Sequence, residues 1–288
     1  MANARDIKKR IKAVGNIRRI TKTMQMIATS KFARAQQRAT ASKPYTEGIF
    51  DLVTELSSKA GNISHPLIQG PEGGARGPEV VLVVTSNRGL CGPYNGSVLR
   101  AATPLIRGGQ NLAIEVMGKK GAGFMKFTGT AVAQAHVHAE DKTTFEQIEA
   151  IAQGYMDRFV RGEIRGVRVV SMRFLSASRQ RPEVLQLLPL KPPAQADGVA
   201  QRPVEYDFSP GAEELLADLL PVTVKATLFQ AVTDAIVSEH VARMVAMKSA
   251  TDNAGKMGKS LTRRYNRARQ SQITTELTEI ISGAAALE

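Results

Sequence analysis

The sequence of 288 residues contains no tryptophan and a single cysteine, Cys91. One cysteine cannot form an internal disulfide, and no Cys-based zinc site can be assembled around it. Aromatic residues make up only 5% of the chain, so base stacking by a nucleic-acid binder is poorly supplied. No apolar run approaches the roughly 18 residues of a membrane-spanning helix. The N-terminus, MANARDIKKRIKAVGN, is charged and lacks the apolar stretch of a signal peptide. On these absences the protein reads as cytosolic and soluble. Motifs are scarce too. Neither GxxxxGK[ST] nor GxGxxG occurs, and no HExxH, Ser-His-Asp or paired-carboxylate arrangement stands out. His136 and His138 are spaced for one face of a strand, with no nearby cysteine or well-placed carboxylate pair; His65 and His240 are isolated. The sequence therefore offers no catalytic centre, cofactor site or metal site of its own.

What it has in excess is positive charge, +13 overall, unevenly placed. Residues 1–43 carry twelve basic groups against one acid, Asp6, and residues 243–269 carry eight against Asp252. Residues 205–240 are the reverse, with seven acids and only Lys225. Basic segments of this kind face an acidic partner, nucleic acid or anionic lipid. A basic coiled-coil nucleic-acid binder is therefore one reading; partial self-neutralisation and a solvated charged face are the others.

Apolar spacing gives the organisation. Ile7, Ile11, Val14, Ile17, Ile20, Met24 and Ile27 recur every three or four residues, a narrow stripe that predicts a coiled-coil helix over residues 1–60. Pro44 and Gly48 are expected to disturb it before periodicity resumes at Ile49. Residues 61–79 read as a Gly/Pro-rich linker. Residues 80–190 then alternate strands and helices. Val80–Thr85 has the continuous β-branched composition of a buried strand, and further strands are predicted at 113–117, 130–137, 167–175 and 184–188. Helices are predicted near 94–107 and over 143–161. This is a small, mostly parallel α/β domain. Residues 191–211 form a second linker or foot. The last segment, 212–288, returns to heptad-like spacing, and Ile273, Leu277, Ile280, Ala284 and Leu287 step by four and three. A helix of about 75 residues is about 110 Å long, whereas a compact chain of this size has a radius of gyration of roughly 19 Å. A rod is expected, with the two terminal helices paired antiparallel.

The turn SNRGLCGPYNG after the first strand invites a nucleotide-site reading, because Gly-rich turns at helix N-termini hold phosphate. The plainer reading is a tight strand-to-helix turn, with Cys91 as a small apolar filler. Tyr206, Asp207 and Phe208 precede the last helix and form either an exposed docking foot or a turn tucked beneath the α/β domain.

Three segments resemble a known family. Residues 6–36, DIKKRIKAVGNIRRITKTMQMIATSKFARAQ, are similar to the opening helix of the gamma subunit of the rotary ATP synthase. VVTSNRGLCGPYNG at 83–96 resembles its central strand-turn motif. SEHVARMVAMKSATDNA within 236–254, and YNRARQSQITTELTEIISGAAA at 265–286, resemble its closing helix. The resemblance implies an antiparallel coiled coil of the termini plus a Rossmann-like α/β domain. It implies a non-catalytic central-stalk subunit without cofactor, which couples proton flow through the c ring to ATP synthesis by rotating inside a hexamer of alpha and beta subunits. It also implies an epsilon subunit alongside, no nucleic acid, and a peripheral place on the cytoplasmic face of a bacterial membrane. By position in the motifs, Lys22 and Met24 match a contact with an acidic lever of the beta subunit. Arg269, Gln270 and Thr274 match a contact with its catch loops. Tyr206 and Asp207 match the contact with polar loops of the c ring. The stripe from Ile273 to Leu287 would lie in an apolar bearing. The chain departs from the family at KMGKSLTRRYN, where Gly258, Arg263 and Arg264 are expected to weaken the seam, and in a longer, Gly-rich linker at 61–79. It lacks the cysteine pair of a thiol switch.

Overall fold

The computed structural model describes residues 4–59, 65–70, 74, 77–136, 143–190 and 211–285. In chain order the elements are α1 (Ala4–Lys59), α2 (Pro66–Gln69), β1 (Glu79–Val84), α3 (Tyr94–Gly108), β2 (Leu112–Met117) and α4 (Lys119–Phe127). Then come β3 (Gln134–His136), α5 (Phe145–Val160), β4 (Gly166–Ser176), β5 (Arg179–Leu188) and α6 (Ala212–Ala285). By packing, the chain divides into two units, one of Met1–Thr29 with Arg243–Glu288 and one of Ser30–Ala242.

The larger unit is built on a five-stranded sheet of order β3-β2-β1-β4-β5. The first four strands are parallel, and β5 pairs antiparallel with β4. Pleating sends alternate side chains of β1 to opposite faces. Val80, Leu82 and Val84 enter a core shared with α1, α5 and α6, whereas Val81 and Val83 enter one shared with α3 and α4. Each fully buried aliphatic side chain contributes roughly 1.5–3 kcal/mol. A slip of one residue would exchange both sets, so the register is strongly fixed. Helix α5 begins at a reciprocal cap, with Gln147 accepting from the Thr144 N–H at 3.3 Å, and buries Ile148, Ala152, Tyr155, Met156 and Phe159. Phe145, expected on that face, instead stays partly exposed and meets Phe229 of α6 edge-on at 5.3 Å.

Three expectations change. Helix α1 runs unbroken through Pro44 and Gly48. An internal proline costs about 3 kcal/mol, but Ala39, Thr46, Ile49, Val53 and Leu56 around it are all buried, and their packing outweighs that cost. The segment 61–79 contains a helical turn, α2, capped by His65 Nδ1 accepting from the Leu67 N–H at 3.2 Å. Finally, α6 carries an 18-residue window of mean hydropathy 1.4, long and apolar enough by composition to cross a membrane. A test on unbroken apolar runs missed it. In this chain 39% of that window is buried in protein, and Leu216, Leu220, Val224, Leu228 and Val232 of α6 belong to the core.

The smaller unit is an antiparallel helix pair. Thr251 Oγ1 donates to Thr21 Oγ1 at 2.8 Å. A Cβ placed on Gly255 would stand 3.6 Å from Arg18, and one on Gly258 would stand 3.9 Å from Val14. Residue numbers fall on α1 as they rise on α6, which fixes the direction. On α6 the less exposed positions include Met247, Thr251, Ala254, Gly258, Leu261, Tyr265 and Ala268, which step by four and three as a heptad seam does, with Ala250 and Gly255 flanking them. Its partner stripe is Ala4, Ile7, Ile11, Val14, Thr21, Met24 and Ala28. Gly258 does lie in the seam and thins it, but Arg263 and Arg264 are exposed and lie off it.

Candidate partner interface

The apolar stripe read from α1 is only half right. Ile7, Ile11 and Val14 enter the seam, which then passes to Thr21 and Ala28. Ile17, Ile20 and Ile27 are left 52%, 57% and 53% exposed, beside Met26 at 62%. Met24 is half-buried. These residues form a second, outward ridge. Around it the basic groups Lys8, Lys9, Arg10, Lys12, Arg18, Arg19 and Lys22 are all exposed, as are Lys248, Lys256, Lys259, Arg263, Arg264, Arg267 and Arg269 of α6. The surface of this unit thus combines apolar ridges with cations, facing outward.

The contact between Thr21 and Thr251 sets the register, so Ala4 lies opposite Ala268. Past that point no described residue of α1 faces α6, and residues 269–283 are all exposed. Ile273, Leu277 and Ile280 begin a new stripe five residues past Ala268, stepped by four and three, with no described residue opposite them; Ile280 is 71% exposed. The structure therefore splits the residues anticipated from sequence into two zones. Met24 lies in the seam towards its Ala28 end, and Lys22 is exposed beside it. Arg269, Gln270 and Thr274 lie where the seam ends at Ala268, some nineteen positions on, or about 28 Å at 1.5 Å per residue. Arg269 is exposed, and among the described residues no ion pair engages it. Thr274 turns its hydroxyl back to the Gln270 carbonyl at 3.0 Å. Tyr206 and Asp207 lie outside the described residues.

At the carboxyl ends of β1 and β2 the chain fills the space with its own turns. Thr85 Oγ1 accepts from the Gly121 N–H at 2.9 Å, and Asn87 Oδ1 accepts from the Lys119 N–H at 3.0 Å. The Ser86 carbonyl takes the Lys120 N–H at 3.0 Å. The first-turn donors of α4 are thereby used. A side chain at Gly118, where φ is +98°, would strike the Thr85 carbonyl at 2.2 Å. On the α3 side, Asn95 accepts from the Ser86 N–H at 3.0 Å, and its amide donates to Cys91 Sγ at 3.2 Å. The SNRGLCGPYNG turn is a packed turn, with Cys91 buried in it. His136 is not part of a metal cluster; among the described residues no group of three or more His, Cys, Asp or Glu could hold one. Its Nε2 lies 3.0 Å from Glu115 Oε2, and His138 lies outside the described residues.

Glu115 is a group that sequence reasoning missed. It is 1% exposed and accepts from Tyr155 Oη at 2.7 Å and Arg158 Nη1 at 2.9 Å. Burial pushes its pKa up, but hydrogen bonds from His136, Tyr155 and Arg158, with the charge of Arg158, overcome this and hold it below the usual carboxylate value. Tyr155 is driven well above its ordinary value, first by burial and then by the Glu115 charge. The cluster ties β2, β3 and α5 together.

The comparisons with known proteins agree with this architecture. A family model described as ATP synthase matches residues 3–287. A protein of Rhodopirellula baltica named ATP synthase gamma chain is 43% identical over 297 residues, covering 100% of both chains. Its namesake in Desulforamulus reducens is 39% identical over 288 residues, again covering both chains fully. The chain belongs to the ATP synthase gamma-chain family. The fold is also found among solved structures. A chain of the Euglena gracilis mitochondrial ATP synthase superposes with a TM-score of 0.69 at 18% identity, covering 99% of this chain and 94% of that one. A chain from the rotor of the same enzyme gives 0.66 at 17% identity, with coverage of 94% and 98%. A gamma chain is a non-catalytic central-stalk subunit of a multi-subunit enzyme. Nothing in these comparisons supports the nucleic-acid reading.

Proposed function

We propose that this gamma chain turns with a membrane c ring and transmits its rotation to a hexamer of alpha and beta subunits, with an epsilon subunit beside it. The complex would stand on the cytoplasmic face of a bacterial membrane, with the chain peripheral to the bilayer. The Euglena relative was solved with OSCP, F1 and a c ring, and we carry that assembly over. In this reading Lys22 and Met24 meet an acidic lever of the beta subunit. Arg269, Gln270 and Thr274 meet its catch loops, with Arg269 suited to a charge-assisted bond to carboxylate. Tyr206 and Asp207 meet the c-ring loops. The working division is the first helix at 1–60, a linker at 61–79, the α/β domain at 80–190, a linker or foot at 191–211 and the closing helix at 212–288.

One observation supports this above others: past the end of the seam, α6 carries Ile273, Leu277 and Ile280 in a line stepped by four and three, all exposed and with no described partner helix facing them. Exposed apolar side chains in a continuous line mark a surface that another protein covers. An apolar end also suits a bearing, since few directional bonds form there to resist turning. Catalysis in the partners would then be driven by contacts that differ with the angle of the shaft. Co-expression with alpha and beta subunits tests the proposal. A stable complex that hydrolyses ATP is expected, and a chain that purifies without either subunit would defeat it.

A further inference from the structure

The α4 helix presents an outward face that neither the fold nor the rotor reading employs. Its inner side is fixed: Met125 is buried, and a side chain at Gly121 would strike Thr85 and Val116 at 2.7 Å. Its outer side carries Lys119, Lys120, Gly123, Lys126 and Phe127, all exposed, and its sequence KKGAGFMKF contains no acid. Phe127 is 90% exposed, the highest value among the large apolar residues. Gly123 sits one helical turn before Phe127, and a Cβ added there would meet nothing within 4 Å. Unlike Gly121, it is required by no neighbour in this chain, yet a mid-helix glycine weakens the helix. A glycine in that place leaves room for a foreign surface to approach the backbone.

We propose that this face of α4 docks an acidic surface of another protein subunit, with Phe127 seated in an apolar socket and the three lysines paired to carboxylates around it. A rigidly held aromatic ringed by charge has the make-up of an interface anchor. A lipid surface is the poorer fit. The helix is locked against the sheet and cannot roll its inner face into a bilayer. Each lysine near an anionic membrane adds only roughly fivefold attraction, so three give roughly a hundredfold, short of stable anchorage.

The test replaces Phe127 with the photoreactive analogue benzoylphenylalanine in the full chain, within the purified multi-subunit complex. Irradiation is expected to join position 127 to an acidic peptide of one other subunit. Adducts to lipid alone, to an acid-free peptide, or none at all in an intact complex would overturn the proposal. An intact complex also keeps this outcome separate from failure of the rotor reading. A second arm uses Gly123→Ala, which is expected to raise the melting temperature of the isolated chain while cutting the yield of that cross-link about tenfold, as an obstructed interface would. An unchanged yield would overturn the close approach. The third arm mixes the full chain with vesicles of phosphatidylglycerol and phosphatidylcholine in equal parts. Phe127→Ala is expected to leave sedimentation with the vesicles unchanged; a loss would assign the face to the membrane instead.

Discussion

Thr251 of α6 and Thr21 of α1 meet hydroxyl to hydroxyl at 2.8 Å across 230 residues of sequence. Thr21 donates its own proton to the Arg18 carbonyl at 3.1 Å, and the single proton of Thr251 is shared between Thr21 Oγ1 and the Met247 carbonyl, each at 2.8 Å. The pair sets the antiparallel register. Valine has the same shape without the hydroxyl. Thr251→Val alone is expected to cost about 1 kcal/mol, because it leaves Thr21 facing a methyl group. Thr21→Val with Thr251→Val is expected to recover most of that loss. A double-mutant cycle by denaturant melting checks the coupling, and strictly additive costs would refute it.

Two carboxylates in the larger unit are expected to act oppositely with pH. Glu115 has its pKa lowered in the folded chain, so its contribution is present above the ordinary value of 4.5 and is lost as pH falls through the folded pKa. Asp234 is raised above its ordinary 3.8, mainly by burial, against the opposing pull of Gln230, the Phe174 backbone, Arg173 and Lys43. Its folded form binds protons more readily, so its contribution is full at low pH and declines as pH rises from 3.8. Glu115→Gln should therefore flatten the acid limb of a stability–pH curve, and Asp234→Asn should stabilise the chain at neutral pH relative to acid. Parallel curves for wild type and both variants would contradict these signs.

Arg269→Ala is expected to leave the melt of the isolated chain within about 0.5 kcal/mol, as for an exposed residue outside the seam. In the assembled enzyme it removes a charge-assisted bond worth about 1.5–3 kcal/mol, and ATP-driven proton pumping should fall accordingly. Pumping at the wild-type rate would remove Arg269 from the interface.

Deleting residues 273–288 is likewise expected to leave the isolated chain's stability within about 0.5 kcal/mol, since Ile273, Leu277, Ile280 and Ile281 are exposed. Coupled turnover should drop while partial assembly survives. A large fall in melting temperature would show that the tail packs within the chain.

Much of this was legible in residue order. The run Val80–Thr85, the helix around Tyr155 and the heptad steps after Val241 mark their elements because their hydrophobic periods are strong. The seam on α1 was not legible. Ile17, Ile20 and Ile27 are more apolar than Thr21 and Ala28, so hydropathy selects the outward ridge. Small residues at the true seam, including Ala28, Ala254 and Gly258, permit close approach of the helices, and only the partner helix reveals that choice. Glu115 escaped because a lone glutamate inside LAIEVM gives no local sign of Tyr155, Arg158 and His136, which the fold brings from elsewhere. The five positions proposed to meet the beta subunit came from motif resemblance, and the register places them in two zones.

The most direct test of the rotor account is to watch the chain turn. Ala177 lies exposed in the turn between β4 and β5, whereas native Cys91 is buried, so Ala177→Cys offers an accessible thiol for a bead on the complete complex. With the alpha and beta subunits fixed to glass and ATP supplied, the account predicts stepwise rotation of the bead in one direction, at a rate that follows hydrolysis. Steady hydrolysis with a stationary bead would contradict it.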